Sequence, residues 1–343
     1  MLPPRILRRL VLAPMVLVVT VFVVVTLPLW LLVVTLASLR LPPPQRRGTR
    51  LVWFGVAWLV LECGALLACL GLWVASGFGG RLRRDQYEAR HYALIRWFLS
   101  KVYGVAERVF RLTVEINEPV PTTGELAARL TRPVIVLARH AGPGDSFLLV
   151  YHLLALYRRK PRIVMKAALQ YDPSLDVLIN RLPNAFVPRR VAESGVIDEI
   201  TRLAATMDDD DALVIFPEGG NFTPRRRLLA IRRLEQKGLA REASRARGMD
   251  HLLPPRPGGA IAAIEACPSA DVIFVAHTGL DDLITISDVW RRLPVAARIT
   301  AQWWRVPAAE IPREHEARVR WLYDQWESID AWIEERKMTL TDP

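Results

Sequence analysis

The chain has 343 residues, enough for one large domain or two ordinary ones. It carries 46 Lys and Arg against 35 Asp and Glu, a formal net charge of +11, which indicates an anionic partner. Residues 1–80 hold seven arginines and one glutamate, so more than half of the excess charge lies in this apolar part. That location favours a lipid bilayer with anionic headgroups, and with no RNA- or DNA-binding signature no nucleic acid is expected. The three cysteines form no CxxC pair and no disulfide framework, which fits a reducing cytoplasm.

Two long apolar runs come first in the chain. Leu10–Leu39 contains no charged residue, and Leu51–Gly80 contains one, Glu62. A membrane-spanning helix needs about 20 apolar residues. The sequence therefore predicts a two-helix transmembrane hairpin in residues 1–80, with one helix at 10–39 and the other at 51–77. Shallow re-entrant or interfacial helices are the alternative, and the first run is too long for an ordinary signal peptide.

Charge next to the two runs predicts their orientation. A hairpin leaves both of its ends on one side of the membrane, and the side richer in Lys and Arg is usually cytoplasmic. The arginines near the two ends are Arg5, Arg8, Arg9, Arg81, Arg83, Arg84 and Arg90, against Arg40, Arg46, Arg47 and Arg50 in the short loop. We therefore expect a multi-pass protein of a cell or organelle membrane, with the rest of the chain on the cytoplasmic face.

After the hairpin the composition becomes that of a globular domain. Residues 81–110 predict one or two amphipathic helices at the membrane edge, because aromatic residues alternate with Arg and Lys there; helices that simply pack on the domain are the alternative. In residues 111–343 apolar strands alternate with helix-length segments, which predicts an α/β fold with a mostly parallel central sheet flanked by helices. A charged helix at 314–337 ends the chain. The predicted strands are Arg111–Ile116, Val134–Ala138, Arg162–Met165, Ala185–Val187, Ala212–Phe216, Val272–Ala276 and Arg298–Trp303.

Polar side chains follow several of these strands at the point where each strand ends. Open α/β sheets bind their ligands in the crevice at the carboxyl ends of the strands. We therefore expect a site where these groups converge. The residues concerned are His140, Lys166, Arg189, Glu218 and His277.

The segment His140-Ala-Gly-Pro-Gly-Asp145 directly follows a predicted buried strand. Its Gly-Pro-Gly turn is sharp enough to fold the Asp145 carboxylate back toward the imidazole. A histidine oriented by a carboxylate is the usual general base for activating a hydroxyl. Asp145 also suits the N-cap of a helix at 146–156, and the two roles are compatible. A second motif, Phe216-Pro-Glu-Gly-Gly220, follows another strand.

The two motifs together resemble the glycerolipid acyltransferases, the family of 1-acyl-glycerol-3-phosphate acyltransferase and the lysophospholipid acyltransferases. The resemblance covers roughly residues 111–304. Arg139 stands where many members have Asn, Gly220 where they have Thr or Ser, and the last block lacks its usual Pro. The four conserved blocks of the family correspond to Arg139–Asp145, Phe186–Arg189, Phe216–Gly220 and Val272–Ala276.

This resemblance implies transfer of a fatty acyl group from acyl-CoA to the free hydroxyl of lysophosphatidate or a related lysophospholipid, in phospholipid biosynthesis or remodelling. Acyl carrier protein is the alternative donor. His140 is then the base and Asp145 fixes its tautomer, while Arg189 clamps the acceptor phosphate. No metal cluster or nucleotide loop occurs in the sequence, so no cofactor is expected beyond acyl-CoA as co-substrate. The further substrate-binding candidates are Phe186, Glu218, Gly219, Gly220, Lys166 and Arg256.

A dense basic run lies in residues 225–247. A charge run is usually a solvated helix face; contact with anionic headgroups or with the phosphates of coenzyme A is the functional interpretation.

Two other functions compete with acyl transfer. Gly144-Asp-Ser146 resembles the nucleophile block of lipase-like serine hydrolases, although no late Asp-x-x-His follows it. A membrane-anchored lipid-binding protein that kept the fold without the chemistry is the other alternative.

Overall fold

The computed structural model describes residues 2–39, 47–117, 131–142, 144–188, 193–281, 288, 290–291 and 298–341. In chain order the helices in this part are α1 (Arg5–Val25), α2 (Leu27–Ser38), α3 (Arg47–Ala75), α4 (Asp85–Phe110), α5 (Asp145–Ala155), α6 (Pro173–Ile179), α7 (Glu193–Ala204), α8 (Pro224–Gln236), α9 (Ala240–Arg247), α10 (Pro257–Ala266) and α11 (His315–Thr341). The strands are β1 (Thr113–Ile116), β2 (Val134–Ala138), β3 (Lys160–Lys166), β4 (Ala185–Val187), β5 (Asp211–Ile215), β6 (Asp271–Thr278) and β7 (Arg298–Val306).

Within the described residues the chain forms two compact units. The first comprises residues 1–113, 165–191 and 287–297, and the second comprises residues 114–164, 192–286 and 298–343. The predicted α/β fold with a mostly parallel sheet is confirmed.

In the first unit, α1 and α3 are long and apolar enough to cross a membrane. Much of their apolar surface is exposed, as at Leu10, Phe22 and Leu67. This suggests membrane association, as the sequence predicts. Multi-pass insertion and a cytoplasmic second unit stay predictions.

The first apolar run forms two helices rather than one continuous helix over 10–39. The Thr26 hydroxyl donates to the Phe22 carbonyl at 2.7 Å and accepts from the Trp30 indole at 3.0 Å. Pro28 lies in the first turn of α2. Proline is tolerated there because the N–H groups of the first turn have no acceptor within the helix. The chain therefore breaks at Thr26, whereas Pro14 is accommodated inside α1.

A buried ion pair attaches α6 to α1 within the first unit. The Arg8 guanidinium donates to the Asp176 carboxylate at 2.6 Å and to the Gln170 amide oxygen at 2.8 Å. Arg9 donates to the second carboxylate oxygen of Asp176 at 3.0 Å. Farther on, Arg181 donates to the Cys69 carbonyl in α3 at 2.9 Å. The segment between β3 and β4 is thus held against the apolar helices by buried polar contacts.

The sheet has the strand order β1-β7-β6-β2-β5-β3-β4. Strand β2 pairs in parallel with both β5 and β6, and β3 pairs in parallel with β5. Strand β7 runs antiparallel to β6. Every residue of β2 and β5 is buried, as expected for central strands with both faces covered. The carboxyl ends of β2, β5 and β6 consequently lie side by side at one edge.

The core of the second unit forms where α5 and β7 pack on the central strands. On α11, Leu322, Trp326, Ile329 and Ile333 are buried, and Val319 is half-buried. The core cluster comprises Val134, Val136, Ala138, Leu149, Leu153, Ala212, Val214, Val275 and Trp303.

Candidate active site

His140 and Asp145 form a hydrogen-bonded pair at the carboxyl end of β2. His140 follows β2 by two residues, and Asp145 is the first residue of α5. Nδ1 of His140 lies 3.0 Å from Oδ2 and 3.1 Å from Oδ1 of Asp145. The Gly142 N–H also donates to Oδ2 at 3.0 Å, and the Ser146 hydroxyl donates to Oδ1 at 3.1 Å. The turn therefore folds the carboxylate back onto the imidazole, as its sequence predicts.

The suggested capping role of Asp145 is wrong. The N-cap position belongs to Gly144, and no side chain caps the first turn of α5. Because the Asp145 carboxylate points back to the Gly142 N–H and the imidazole, it does not accept from the N–H groups of its own helix.

Opposing effects set the protonation of Asp145. Burial raises the pKa of this carboxyl, but the hydrogen bond from His140, the electrostatic attraction that His277 and His140 exert when protonated, and the Gly142 N–H together hold it below its usual value. Asp145 is therefore ionised at neutral pH. An ionised partner fixes the proton of His140 on Nδ1, which leaves the lone pair on Nε2. The Phe216 ring packs against the imidazole with a centroid separation of 4.6 Å.

Glu218 is buried and links two loops by its carboxylate. Oε1 accepts from the backbone N–H of His140 at 2.8 Å, and Oε2 accepts from that of Leu253 at 2.9 Å. Burial raises the pKa of Glu218 to about 8, and the two backbone donors oppose this shift. With both oxygens engaged, Glu218 holds the His140 loop in place. Its predicted contact with the acceptor stays a prediction.

Gly219 and Gly220 allow two cations to approach the backbone of this loop. Gly219 has a φ of +66°, and a Cβ there would lie 3.0 Å from the guanidinium carbon of the exposed Arg256. A Cβ on Gly220 would lie 3.3 Å from Nη1 of Arg226. The structure thus brings Arg256 to the loop that contains Glu218, and its predicted contact with a phosphate stays a prediction.

The sequence reasoning missed Arg139. This fully buried guanidinium donates to the His277 carbonyl at 2.6 Å and to the His251 carbonyl at 3.2 Å, and it pairs with Asp281. Burial raises the pKa of Asp281, but the Arg139 charge outweighs it and lowers the pKa to about 2. Arg139 therefore ties the loop after β2 to the end of β6. The sequence did offer one indication of its importance: Arg139 lies beside His140, at a position where many members of the similar family have Asn.

His277 is among the polar groups that the sequence predicts to converge at the strand ends, but the sequence assigns it no role. Its Nε2 lies 3.7 Å from Oδ2 of Asp145, and its Nδ1 has no partner among the described residues. Burial lowers the pKa of His277, and the nearby Arg139 charge lowers it further. A neutral imidazole therefore lies next to the Asp145 carboxylate.

The other predicted binding residues belong to the first unit or lie outside the described residues. Lys166 is the last residue of β3 and Phe186 is the middle residue of β4, and both belong to the first unit. Arg189 lies outside the described residues. Their contacts with a substrate stay predictions. Among the described residues no group of three or more His, Cys, Asp or Glu is placed to hold a metal ion.

Comparison with known proteins identifies one match. A protein-family model described as Acyltransferase matches residues 111–278, which include every residue of the pair and of the Glu218 loop. Neither the curated proteins nor the solved structures gave a match to this chain.

Proposed function

Since this chain carries a domain of the acyltransferase family at residues 111–278, we propose that it transfers a fatty acyl group from acyl-CoA to the free hydroxyl of lysophosphatidate or a related lysophospholipid. One observation carries the chemistry: the imidazole of His140 is held by an ionised carboxylate at the carboxyl end of a central strand. The two apolar helices of the first unit support a lipid as the acceptor.

The proposed reaction uses the free nitrogen of the imidazole. Nε2 of His140 takes the proton of the acceptor hydroxyl while its oxygen attacks the thioester carbonyl. The tetrahedral intermediate collapses, the carbon–sulfur bond breaks, and the imidazolium returns the proton to the leaving thiolate. Asp145 stabilises the imidazolium meanwhile and itself stays ionised. The products are an ester and free coenzyme A, with no covalent enzyme intermediate.

We assign the acceptor phosphate to arginine side chains. Arg256 is exposed beside Gly219, and a planar guanidinium suits the paired oxygens of a phosphate. Arg189 and Lys166 are the further candidates from the sequence. Glu218 acts by holding the His140 backbone, so its effect on the substrate is indirect.

The serine hydrolase alternative loses support from the geometry. The Ser146 hydroxyl donates to Asp145, and the Nδ1 atom of His140 faces the same carboxylate. A nucleophilic serine needs an imidazole nitrogen as its base. A lipid-binding protein without chemistry stays an alternative that only an assay separates.

The test is acyl transfer by the detergent-purified chain. Labelled oleoyl-CoA is offered with a panel of lysophospholipids and with glycerol-3-phosphate, and oleoyl-acyl carrier protein is offered in parallel. We expect a labelled diacyl product with one or a few lysophospholipids. No product with either donor, while the thioester stays intact, would contradict the proposal and favour a binding protein. Thioester hydrolysis without an acceptor, abolished in Ser146→Ala, would favour the hydrolase.

A further inference from the structure

Helix α8 exposes one face that is basic and apolar at once. Its outer face follows the helical spacing i, i+3, i+4, i+7, i+8, i+11. Leu228 is 55% exposed and Leu229 is 41% exposed, whereas Ile231 on the opposite side is 6% exposed. This outer face comprises Arg225, Leu228, Leu229, Arg232, Arg233 and Gln236, all of them exposed.

The charge of the outer face is uncompensated. Three other arginines of this basic run are paired: Arg227 with Asp250, Arg245 with Asp324 and Glu327, and Arg247 with Glu235. In contrast, the three arginines of the outer face form no ion pair with any residue that the structure describes, and the face contains no acidic residue. A solvated helix normally mixes both signs of charge and does not expose neighbouring leucines.

We infer that the outer face of α8 docks on the surface of an anionic lipid bilayer. Basic side chains bind the headgroups, and the leucines enter the boundary between headgroups and acyl chains. The face extends over about 16 Å of a convex helix, at about 1.5 Å per residue. A convex apolar and basic strip matches a planar anionic surface, whereas the phosphates of a soluble ligand are bound in a concavity.

Docking would place the active site next to the bilayer. Helix α8 continues directly from the Glu218 loop, and the Phe222 N–H between them donates to the His140 carbonyl at 2.9 Å. A lipid acceptor could then reach the imidazole without leaving the interface. This consequence, unlike docking itself, rests on the proposed function.

The test places a fluorescent label on the outer face of the full chain. The three cysteines are replaced by alanine, and Leu229→Cys or Gln236→Cys carries the label. The chain is reconstituted in nanodiscs that contain brominated lipids, which quench only labels within the bilayer. The discs contain phosphatidylcholine alone or with an equal amount of phosphatidylglycerol. Ser328→Cys, on the exposed side of α11, is the control label.

We expect strong quenching at both outer-face positions in anionic discs and little in neutral discs. Each arginine near an anionic surface contributes about fivefold to binding, so R225Q/R232Q/R233Q should weaken docking about a hundredfold. Quenching should then fall to the level of the Ser328 label. The triple variant R202Q/R313Q/R320Q removes the same charge elsewhere in the second unit and should leave the quenching unchanged. Hydrogen exchange of the unlabelled chain should slow in residues 224–236 on adding anionic lipid.

Three results would overturn this inference. The outer-face labels could be quenched no more than the Ser328 label, with unchanged exchange in residues 224–236. The two triple variants could weaken quenching equally, which would indicate net charge rather than this face. Finally, R225Q/R232Q/R233Q could raise the KM for acyl-CoA in detergent without changing lipid contact, which would assign the face to the donor. Absence of transfer activity in the wild type would contradict the proposed function and leave the docking result intact.

Discussion

At the residue scale, Asp145 determines how the His140 imidazole is presented. Its carboxylate accepts from His140, from the Gly142 N–H and from the Ser146 hydroxyl, and the neutral His277 lies behind it. These contacts leave Asp145 little freedom to rotate. The nitrogen available for proton transfer is therefore set before any substrate arrives.

Asp145→Asn should lower kcat by on the order of 10³- to 10⁴-fold, because a neutral amide neither fixes the tautomer nor stabilises the imidazolium. The acceptor KM should change little, because the carboxylate faces the imidazole. Ser146→Ala removes one hydrogen bond to the same carboxylate and should lower kcat by less than about tenfold. Steady-state transfer assays check both variants. A larger loss in Ser146→Ala than in Asp145→Asn would contradict the assignment.

Glu218 predicts a dependence of stability on pH. Burial raises its pKa from 4.5 to about 8. Between these values the folded chain binds a proton that the unfolded chain has released, so this group makes the free energy of unfolding fall as pH rises. Thermal melting in detergent across this range should show a lower Tm at the higher pH. Glu218→Gln, neutral throughout, should melt with a flatter pH dependence, and an equally steep profile would show that Glu218 is not the cause.

The pair and the Glu218 loop were predictable from the sequence, but the contacts that hold them were not. His140 and Asp145 are five positions apart across a Gly-Pro-Gly turn, so local chain geometry brings them together. Arg139 meets His277 and Asp281 across sequence separations of 138 and 142 residues. No periodicity reveals such contacts, because they depend on which strands become neighbours in the sheet.

At the element scale, the strands were predictable because each is a short apolar run bounded by polar residues. Strands β2 and β4 have the predicted bounds, and β6 extends one residue earlier and two later than predicted. Pro14 and Pro28 in the sequence predict kinking of the first apolar run; the run divides at Thr26, next to Pro28, and continues through Pro14. Pro28 has no N–H to continue the hydrogen bonds of α1, so a new helix begins beside it, and hydrophobicity alone does not predict this.

The turn after β6 offers a test of local packing. Gly279 has a φ of +97°, and a Cβ there would lie 2.3 Å from the Arg298 carbonyl oxygen. Gly279→Ala should therefore destabilise the protein by at least about 2 kcal/mol, from the backbone conformation and the overlap together. For Gly104, inside α4, no described atom outside its own helix backbone lies within 4 Å of a Cβ position. Gly104→Ala should stabilise by about 0.5–1 kcal/mol. Thermal melting of the two variants measures both effects. Similar Tm values for Gly279→Ala and Gly104→Ala would contradict this structure of the turn.

At the scale of the whole molecule, the domains predicted from composition differ from the two compact units of the structure. Composition predicts a hairpin at 1–80, membrane-edge helices at 81–110 and one domain at 111–343. The first compact unit instead also includes residues 165–191, which the Arg8–Asp176 pair attaches to α1. Composition could not predict this membership, because residues 165–191 resemble the rest of the α/β domain. The predicted division itself stays a prediction.

The predicted orientation can be tested in intact cells. A cysteine at position 45, in the short loop between the two apolar runs, should react with a membrane-impermeant maleimide from outside. A cysteine at Ser328 should react only after the membrane is opened, because we expect the second unit on the cytoplasmic face. The chain without added cysteines provides the background. Labelling of Ser328→Cys but not position 45 in intact cells would reverse the orientation, and labelling of neither would indicate re-entrant helices.

In the proposed mechanism, His140 acts as the base of acyl transfer. The most direct measurement is kcat of His140→Ala with the acceptor that the panel identifies, beside His315→Ala, which removes an exposed histidine from the same unit. We expect the kcat of His140→Ala to be at least about 10³-fold lower than that of the wild type, with an unchanged Tm. The kcat of His315→Ala should match that of the wild type. Activity of His140→Ala within tenfold of the wild type would contradict the account.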